Sequence, residues 1–318
     1  MAVQQARPKK VRNYSAIAAG DRAFLLVIYA SAGLFVLLVA GLFVSLVQGS
    51  WASLVQFGPK FLWTSQWNPV TEQFGALPLI YGTLVSSLIA IVLAGVVGVL
   101  AAAYLAEFAP RWLARPLGFV IELLAAVPSV VFGLWGLFAL APFVRNVIGP
   151  FLQHYFGFLP IFQGAIYGVG LLTAGLVLAL MVLPTVTAIS REVIVAIGDD
   201  LREASMSLGA TKWETVARVV LPASRVGIFG AVVLALGRAL GETIATTMVI
   251  GNRPEIVASL FAPSYTLASV IANEFTEANG QVYISALIEL GLILFVVSFV
   301  VNGFARLLLW FMMRERRS

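Results

Sequence analysis

The stretch Gly198-Asp199-Asp200-Leu201-Arg202-Glu203-Ala204-Ser205-Met206-Ser207-Leu208-Gly209-Ala210-Thr211-Lys212-Trp213-Glu214-Thr215-Val216-Ala217-Arg218-Val219-Val220-Leu221-Pro222 is the most patterned polar segment of the chain. Asp200 followed three residues later by Glu203 is a helix-start signature, with side chains placed to satisfy backbone N–H groups that lack a helical partner. Gly209 supplies the left-handed conformation that ends a helix at low cost. Thr211 with Glu214 forms a T-x-x-E capping box, and the short helix it opens is expected to stop near Pro222, which has no N–H to give. Leu201, Ala204, Leu208, Val216, Val219 and Val220 make apolar faces against Arg202, Glu203, Lys212 and Arg218. The pattern predicts two stiff helices joined by a tight turn.

That elbow is an island in a very apolar sequence. Of 318 residues 60% are hydrophobic and only 11% charged, with a mean hydropathy of +0.97. Soluble domains carry about 25% charged residues, so an ordinary soluble enzyme is excluded, and so is a disordered chain, which needs high charge and low hydrophobicity. Crossing a bilayer core takes about 20 apolar residues. Such runs occur at 23–48, 78–106, 117–143, 166–189, 227–250 and 284–312, predicting an all-α polytopic membrane protein with six transmembrane helices. The chain divides into a basic tail over 1–22, a first anchor over 23–48, a core of five spans over 78–312 that includes the loop 199–222, and a short end over 313–318. The first apolar run is too long for a cleavable signal peptide, whose apolar part covers about 7–15 residues, and reads as a retained anchor. There is no cysteine and a single histidine, His154, so disulfides, thiolate chemistry and a histidine or cysteine metal site are not expected.

Basic residues fix the orientation, because loops rich in Lys and Arg stay in the cytoplasm. Arg7, Lys9, Lys10, Arg12 and Arg22 precede the first span; Arg111 and Arg115 follow the second; Arg191, Arg202, Lys212, Arg218 and Arg225 lie between the fourth and fifth; Arg314, Arg316 and Arg317 end the chain. The opposite side holds Lys60, Arg145 and Arg253 alone, a ratio of 15 to 3 that places both termini and the elbow in the cytoplasm. The pI of about 9.7 then reflects topology; no basic helix interleaved with stacking aromatics suggests a nucleic-acid surface. A lipid-facing role suits the basic tail.

Two charges interrupt the fifth span. Arg238 and Glu242, spaced i, i+4, share a helical face and could neutralise each other. Alternatively Arg238 offers its planar, permanently charged fork to an anion crossing the membrane, with Glu242 holding the Arg or sensing the substrate's proton. Either way an intramembrane charge costs about 2.5–3.5 kcal/mol on insertion scales and needs a purpose. Gly237, Gly241 and Ala245 form a row of small residues suited to close helix packing. Pro128, followed by Ser129, should break or kink the third span, either as a simple kink or as irregular backbone lining a cavity; Pro184 invites the same two readings in the fourth. Glu122 is placed at the cytoplasmic edge of the third span. His154, Trp63 and Trp67 read as interfacial or solvated side chains.

The spacing Glu203-Ala204-Ser205, Gly209, Val219-x-Leu221-Pro222 resembles the EAA loop of ABC importer permeases, E-A-A-x3-G-x9-I-x-L-P, with Ser205 and Val219 as mild departures. In that family the loop docks on a separate ATPase subunit, which would assign ATPase coupling to Glu203, Ala204, Ser205, Gly209, Leu221 and Pro222. No Walker A sequence is present, so ATP and Mg would be bound by the partner. Four further stretches look like the phosphate-specific permeases of this class: Trp67 to Pro78 with Ile80-Tyr81-Gly82-Thr83; Pro128-Ser129 with Gly133 to Gly136; Gly237 to Thr243; and Ala272 to Ala278. The resemblance covers about residues 22–312. It implies a type I importer (MetI-like) fold, no enzymatic activity of its own, and assembly with a homologous PstA-type permease, two ATPase subunits and an extracytoplasmic phosphate-binding protein in a bacterial inner membrane. It also implies that Arg238 and Glu242 serve phosphate passage by alternating access. Permeation of another oxyanion such as sulfate or molybdate, and an ATPase-independent channel or membrane-embedded enzyme, are the alternatives.

Overall fold

A computed structural model describes residues 14–314, and side-chain surroundings for most of them. The helices are α1 (Tyr14–Gly49), α2 (Trp51–Phe57), α3 (Leu77–Phe108), α4 (Arg111–Ala125), α5 (Ser129–Phe156), α6 (Leu171–Val195), α7 (Asp199–Ser207), α8 (Lys212–Leu240), α9 (Ile244–Val249), α10 (Leu267–Glu274) and α11 (Gln281–Arg314). Two isolated bridges, Asn68 with Gln73 and Gly251 with Ser264, are the extended pairings among the described residues. Six helices are long and apolar enough to cross a membrane: Phe24–Gly49, Leu77–Phe108, Ser129–Phe156, Leu171–Val195, Lys212–Leu240 and Gln281–Phe311. The chain is a multi-pass helical membrane protein. It divides into two compact units, one ending at Gln48, whose described part is α1 up to that residue, and one beginning at Gly49.

In the second unit α6 is the buried axis, packed along α3 and α8 and crossed by α4. Leu171, Val177, Leu178, Met181, Val182 and Val186 of α6 are essentially inaccessible. Small residues bring the helices together: a Cβ on Gly175 would stand 2.5 Å from Ile89 of α3, and one on Gly98 would stand 3.0 Å from Val186. A second cluster joins Phe61, Phe74, Leu79, Leu267, Leu287 and Leu290. Trp67 belongs to it, buried, with its indole N–H donating to Glu274 at 2.8 Å; Tyr283 donates to the same carboxylate oxygen at 2.7 Å. The interfacial reading therefore fits Trp63, which is 74% exposed, and not Trp67. Burial pushes the Tyr265 hydroxyl up to about 12, which keeps it protonated while it accepts from Asn273 at 2.9 Å.

Three span readings need correction, and proline explains the first two. Four π-turns occur among the described residues, at Tyr104–Phe108, Gly136–Leu140, Val144–Ile148 and Val216–Val220. Each is followed two residues later by a proline: Pro110, Pro142, Pro150 and Pro222. Proline gives no N–H and its ring crowds the carbonyl one turn back; at Pro142, Pro150 and Pro222, where the helix continues, widening the preceding turn by one residue relieves the crowding, whereas at Pro110 the helix has already ended. The helix opened by Thr211 consequently does not stop near Pro222 but runs on to Leu240. The third span lies at 129–156, not 117–143: α4 ends at Ala125, Pro128 takes an extended ψ of 142°, and Ser129 begins α5. Arg145 and His154 thus sit on α5 instead of in a loop, and Glu122 sits on α4. The fifth span is broken before it reaches Ile250. Pro184, by contrast, lies buried within a continuous α6.

Candidate functional site

Helix α8 ends at Leu240, Gly241 caps it, and α9 starts afresh at Ile244. The break separates the two charges that a continuous helix would have aligned. Arg238 occupies the last turn of α8, where the carbonyl end of the helix favours a cation; it is exposed and makes no ion pair with Glu242 among the described residues. Glu242 lies in the break, half-buried, and its Oε1 accepts from the Ala245 N–H at 3.2 Å. A carboxylate there satisfies a donor at the start of α9 that has no helical partner. The local ion pair is therefore not formed, and the guanidinium is open to another anion.

Hydroxyls cluster around the same break. Thr243 donates to the Gly241 carbonyl at 3.3 Å, Thr247 to the Thr243 carbonyl at 2.7 Å, and the buried Thr246 hydroxyl has no partner among the described residues. Of the row of small residues, Gly237 and Ala245 do the expected work, against different helices: a Cβ on Gly237 would lie 3.4 Å from the Asn302 side chain of α11, and Ala245 is fully buried against Gly133 of α5. Asn302 and Thr246 were not singled out by sequence reading; a polar residue in an apolar run was the only available sign. Helix α9 packs on α5, where Gly133 leaves room for Met248 and Ala245. Pro128 and Ser129 lie one turn before that contact, and no hydrogen bond joins them to Arg238 or Glu242 among the described residues.

The elbow forms as two helices joined by a turn at Gly209, and only the second is capped by a side chain. α7 begins at Asp199 after an extended Gly198, without a side-chain cap, so the Asp200–Glu203 box does not form. Two acids in its first turn still complement the helix dipole. The turn adopts the left-handed geometry required of Gly209, at φ +87°, with the Gly209 N–H on the Met206 carbonyl at 3.0 Å and the Ala210 N–H on the Ser205 carbonyl at 3.3 Å. The Thr211–Glu214 capping box forms in both directions, at 3.3 Å and 3.0 Å. Glu203 and Ala204 are exposed, Leu208 is 90% exposed, and Pro222 is exposed next to a half-buried Leu221. Ser205 instead turns inward, its hydroxyl 3.0 Å from that of Thr215, and so braces one elbow helix against the other.

Residues 94–309 match the family described as binding-protein-dependent transport system inner membrane component. The chain is 47% identical over 312 residues to the phosphate transport system permease protein PstC of Mesorhizobium japonicum, covering 97% of this chain and 94% of that one. It is 49% identical over 257 residues to PstC of Pasteurella multocida, covering 80% of each. Among solved structures, a chain of the inward-facing MetNI methionine ABC transporter aligns with a TM-score of 0.54 at 15% identity, over 74% of this chain and 94% of that one. A bacterial alginate ABC importer aligns with 0.51 at 16% identity, over 93% and 98%. These likenesses place the fold among the MetI-like importer permeases, and by sequence the chain belongs to the PstC family of phosphate transport system permeases.

Proposed function

We infer that this chain is the transmembrane permease subunit of an ATP-driven inorganic phosphate importer and forms half of its translocation pathway. A permease of this family works in a complex whose ATPase is a separate subunit, and the chain is a transporter component, not an enzyme. The finer assignments are a homologous PstA-type partner, two ATPase subunits that hold ATP and Mg, an extracytoplasmic phosphate-binding protein, and an inner membrane with both termini cytoplasmic. The 15 to 3 charge ratio supports the orientation. The observation that carries the substrate reading is the open Arg238 at a helix break lined by hydroxyls, in a chain of PstC sequence.

Arg238 can grip two oxygens of a tetrahedral oxyanion at once. Glu242 stands four residues on, fixed by the Ala245 N–H, where its charge would weaken a second negative charge on the passing anion and limit how tightly phosphate is held. Alternating access then requires ATP-driven movement of the elbow. Glu203, Ala204, Ser205, Gly209, Leu221 and Pro222 form that coupling element, and the Pro128–Ser129 break gives α5 a free start beside the pathway.

The test is radiolabelled phosphate uptake in cells lacking their own high-affinity importer, with this chain and its partner subunits supplied. Uptake should depend on the chain, resist excess sulfate and molybdate, and vanish with Arg238→Gln while the complex still assembles. Competition by sulfate or molybdate would assign another oxyanion, and full uptake by Arg238→Gln would remove Arg238 from the pathway.

A further inference from the structure

The sequence places Arg202 on the polar face of the elbow, yet its side chain is only 15% exposed, and Glu107, 95 residues away, is 8% exposed. Arg202 Nη2 donates to Glu107 Oε1 at 2.7 Å, and Nε lies 3.1 Å from the same oxygen. Nη2 also reaches the Ile194 carbonyl at 3.0 Å, while Nη1 donates to the Ile197 carbonyl and to Asp199 at 3.2 Å. One guanidinium therefore holds its own helix α7, the last turn of α6 and the π-turn that ends α3. Its hydrogen bond to Glu107, working against burial, raises the Arg202 pKa further, so the charge is permanent. The second elbow helix bears on the same π-turn: Lys212 stands 5.4 Å from the centre of the Phe108 ring, and the Trp213 ring is 6.2 Å from it.

The rest of α7 makes few such ties. Leu201, Glu203, Ala204, Met206 and Leu208 are exposed, and Ser205 binds within the elbow itself. The Ser205–Thr215 contact and the Gly209 turn tie α7 to α8, whereas the fork of Arg202 is the side-chain tie, among the described residues, that carries a displacement of α7 to α3. A forked, largely buried pair transmits push and pull in a fixed direction, which a flexible lysine or an apolar contact does not. We propose that the Arg202–Glu107 pair is the joint through which the elbow drives the second span, with both residues positioning the π-turn of α3 as α7 moves. This rests on the reading of the elbow as the ATPase-coupling element.

The chain has no cysteine, so two can be added to it without background from the chain itself, the partner subunits being used in cysteine-free form. Asp200→Cys on α7 and Leu100→Cys on α3, both exposed, carry nitroxide labels in the complete transporter. An intact joint gives one narrow distance that is the same without nucleotide and in the ATP-bound state. Glu107→Met with Arg202→Met removes both charges together, which buried pairs often tolerate without loss of folding. In that double variant the distance should broaden or shift between states, and phosphate taken up per ATP should fall at least about tenfold, with hydrolysis within about twofold of wild type. Arg202→Lys, which keeps the charge but not the fork, should restore part of the ratio. A double variant with wild-type distances, or with wild-type uptake per ATP, overturns the joint. The distance does not depend on what is transported, so absence of phosphate uptake by the wild-type complex would refute the substrate reading while the joint is still read.

Discussion

Glu242 separates two roles that a charged residue in a span can have. Its carboxylate caps α9 through the Ala245 N–H, a bond that a glutamine amide oxygen can also accept. Glu242→Gln should therefore leave expression and assembly unchanged while altering uptake at least about tenfold, if the charge acts on the passing anion. Glu242→Ala should in addition lose about 1 kcal/mol of stability with the cap. Equal loss of folded complex in both variants, with uptake per complex unchanged, would make the residue purely structural. Gly82 is a contrasting case of packing without charge. A Cβ there would stand 2.2 Å from the Tyr265 carbonyl oxygen and 2.8 Å from Ser264 Oγ, backbone and side chain that have little room to move. Gly82→Ala should cost about 1–3 kcal/mol, read as a lowered Tm of the detergent-solubilised complex. An unchanged Tm would mean that the loop carrying Tyr265 yields.

The elbow is the element whose proposed coupling role depends on stiffness. Gly209 sits at φ +87°, a region that a β-branched residue enters at a cost of about 1–3 kcal/mol. Among the described residues no neighbour lies within 4 Å of where its side chain would begin, so the cost is conformational and local. Gly209→Val should loosen the turn between α7 and α8 and leave ATP hydrolysis running while uptake falls. Coupled turnover at the wild-type ratio would refute the role of the turn. Both this glycine and the Thr211–Glu214 box were legible in sequence, because a left-handed turn and a reciprocal cap depend on a few adjacent residues. What lay beyond reach depended on distant chain. Arg202 reads as a solvated charge until Glu107 is brought to it, and Trp67 reads as an interfacial ring until Glu274 is. Span ends at Pro128 and Pro222 were misplaced for another reason. Proline terminates a helix or is absorbed by a π-turn according to the turn before it, and composition does not distinguish the two. The break at Gly241 went unseen because Gly237, Gly241 and Ala245 satisfy a packing row in a continuous helix equally well.

At the scale of the whole molecule, an ABC permease must hand part of its surface to an ATPase that the chain does not contain. The polar elbow is the candidate surface, and its exposed features are few. Leu208 stands 90% exposed at the end of α7, immediately before the turn, flanked by exposed Ala204 and Glu203 one turn back. A large apolar side chain held in water on a rigid helix gains most by entering a pocket on a partner, and such central anchors dominate interfaces, each contributing on the order of 2 kcal/mol or more. Leu208→Asp leaves α7 intact, since the residue makes no buried contact and its backbone N–H remains on the Ser205 carbonyl. The variant should therefore keep wild-type expression and Tm in the membrane subunits alone but retain at least about tenfold less ATPase on affinity purification through this chain. Glu203→Gln, which removes a charge and no apolar area, should weaken retention less and make it less sensitive to salt, because an exposed ion pair is screened. Full ATPase retention by Leu208→Asp would show that the partner grips the elbow elsewhere, with Trp213, 64% exposed on the opposite side of the turn, as the next position to change.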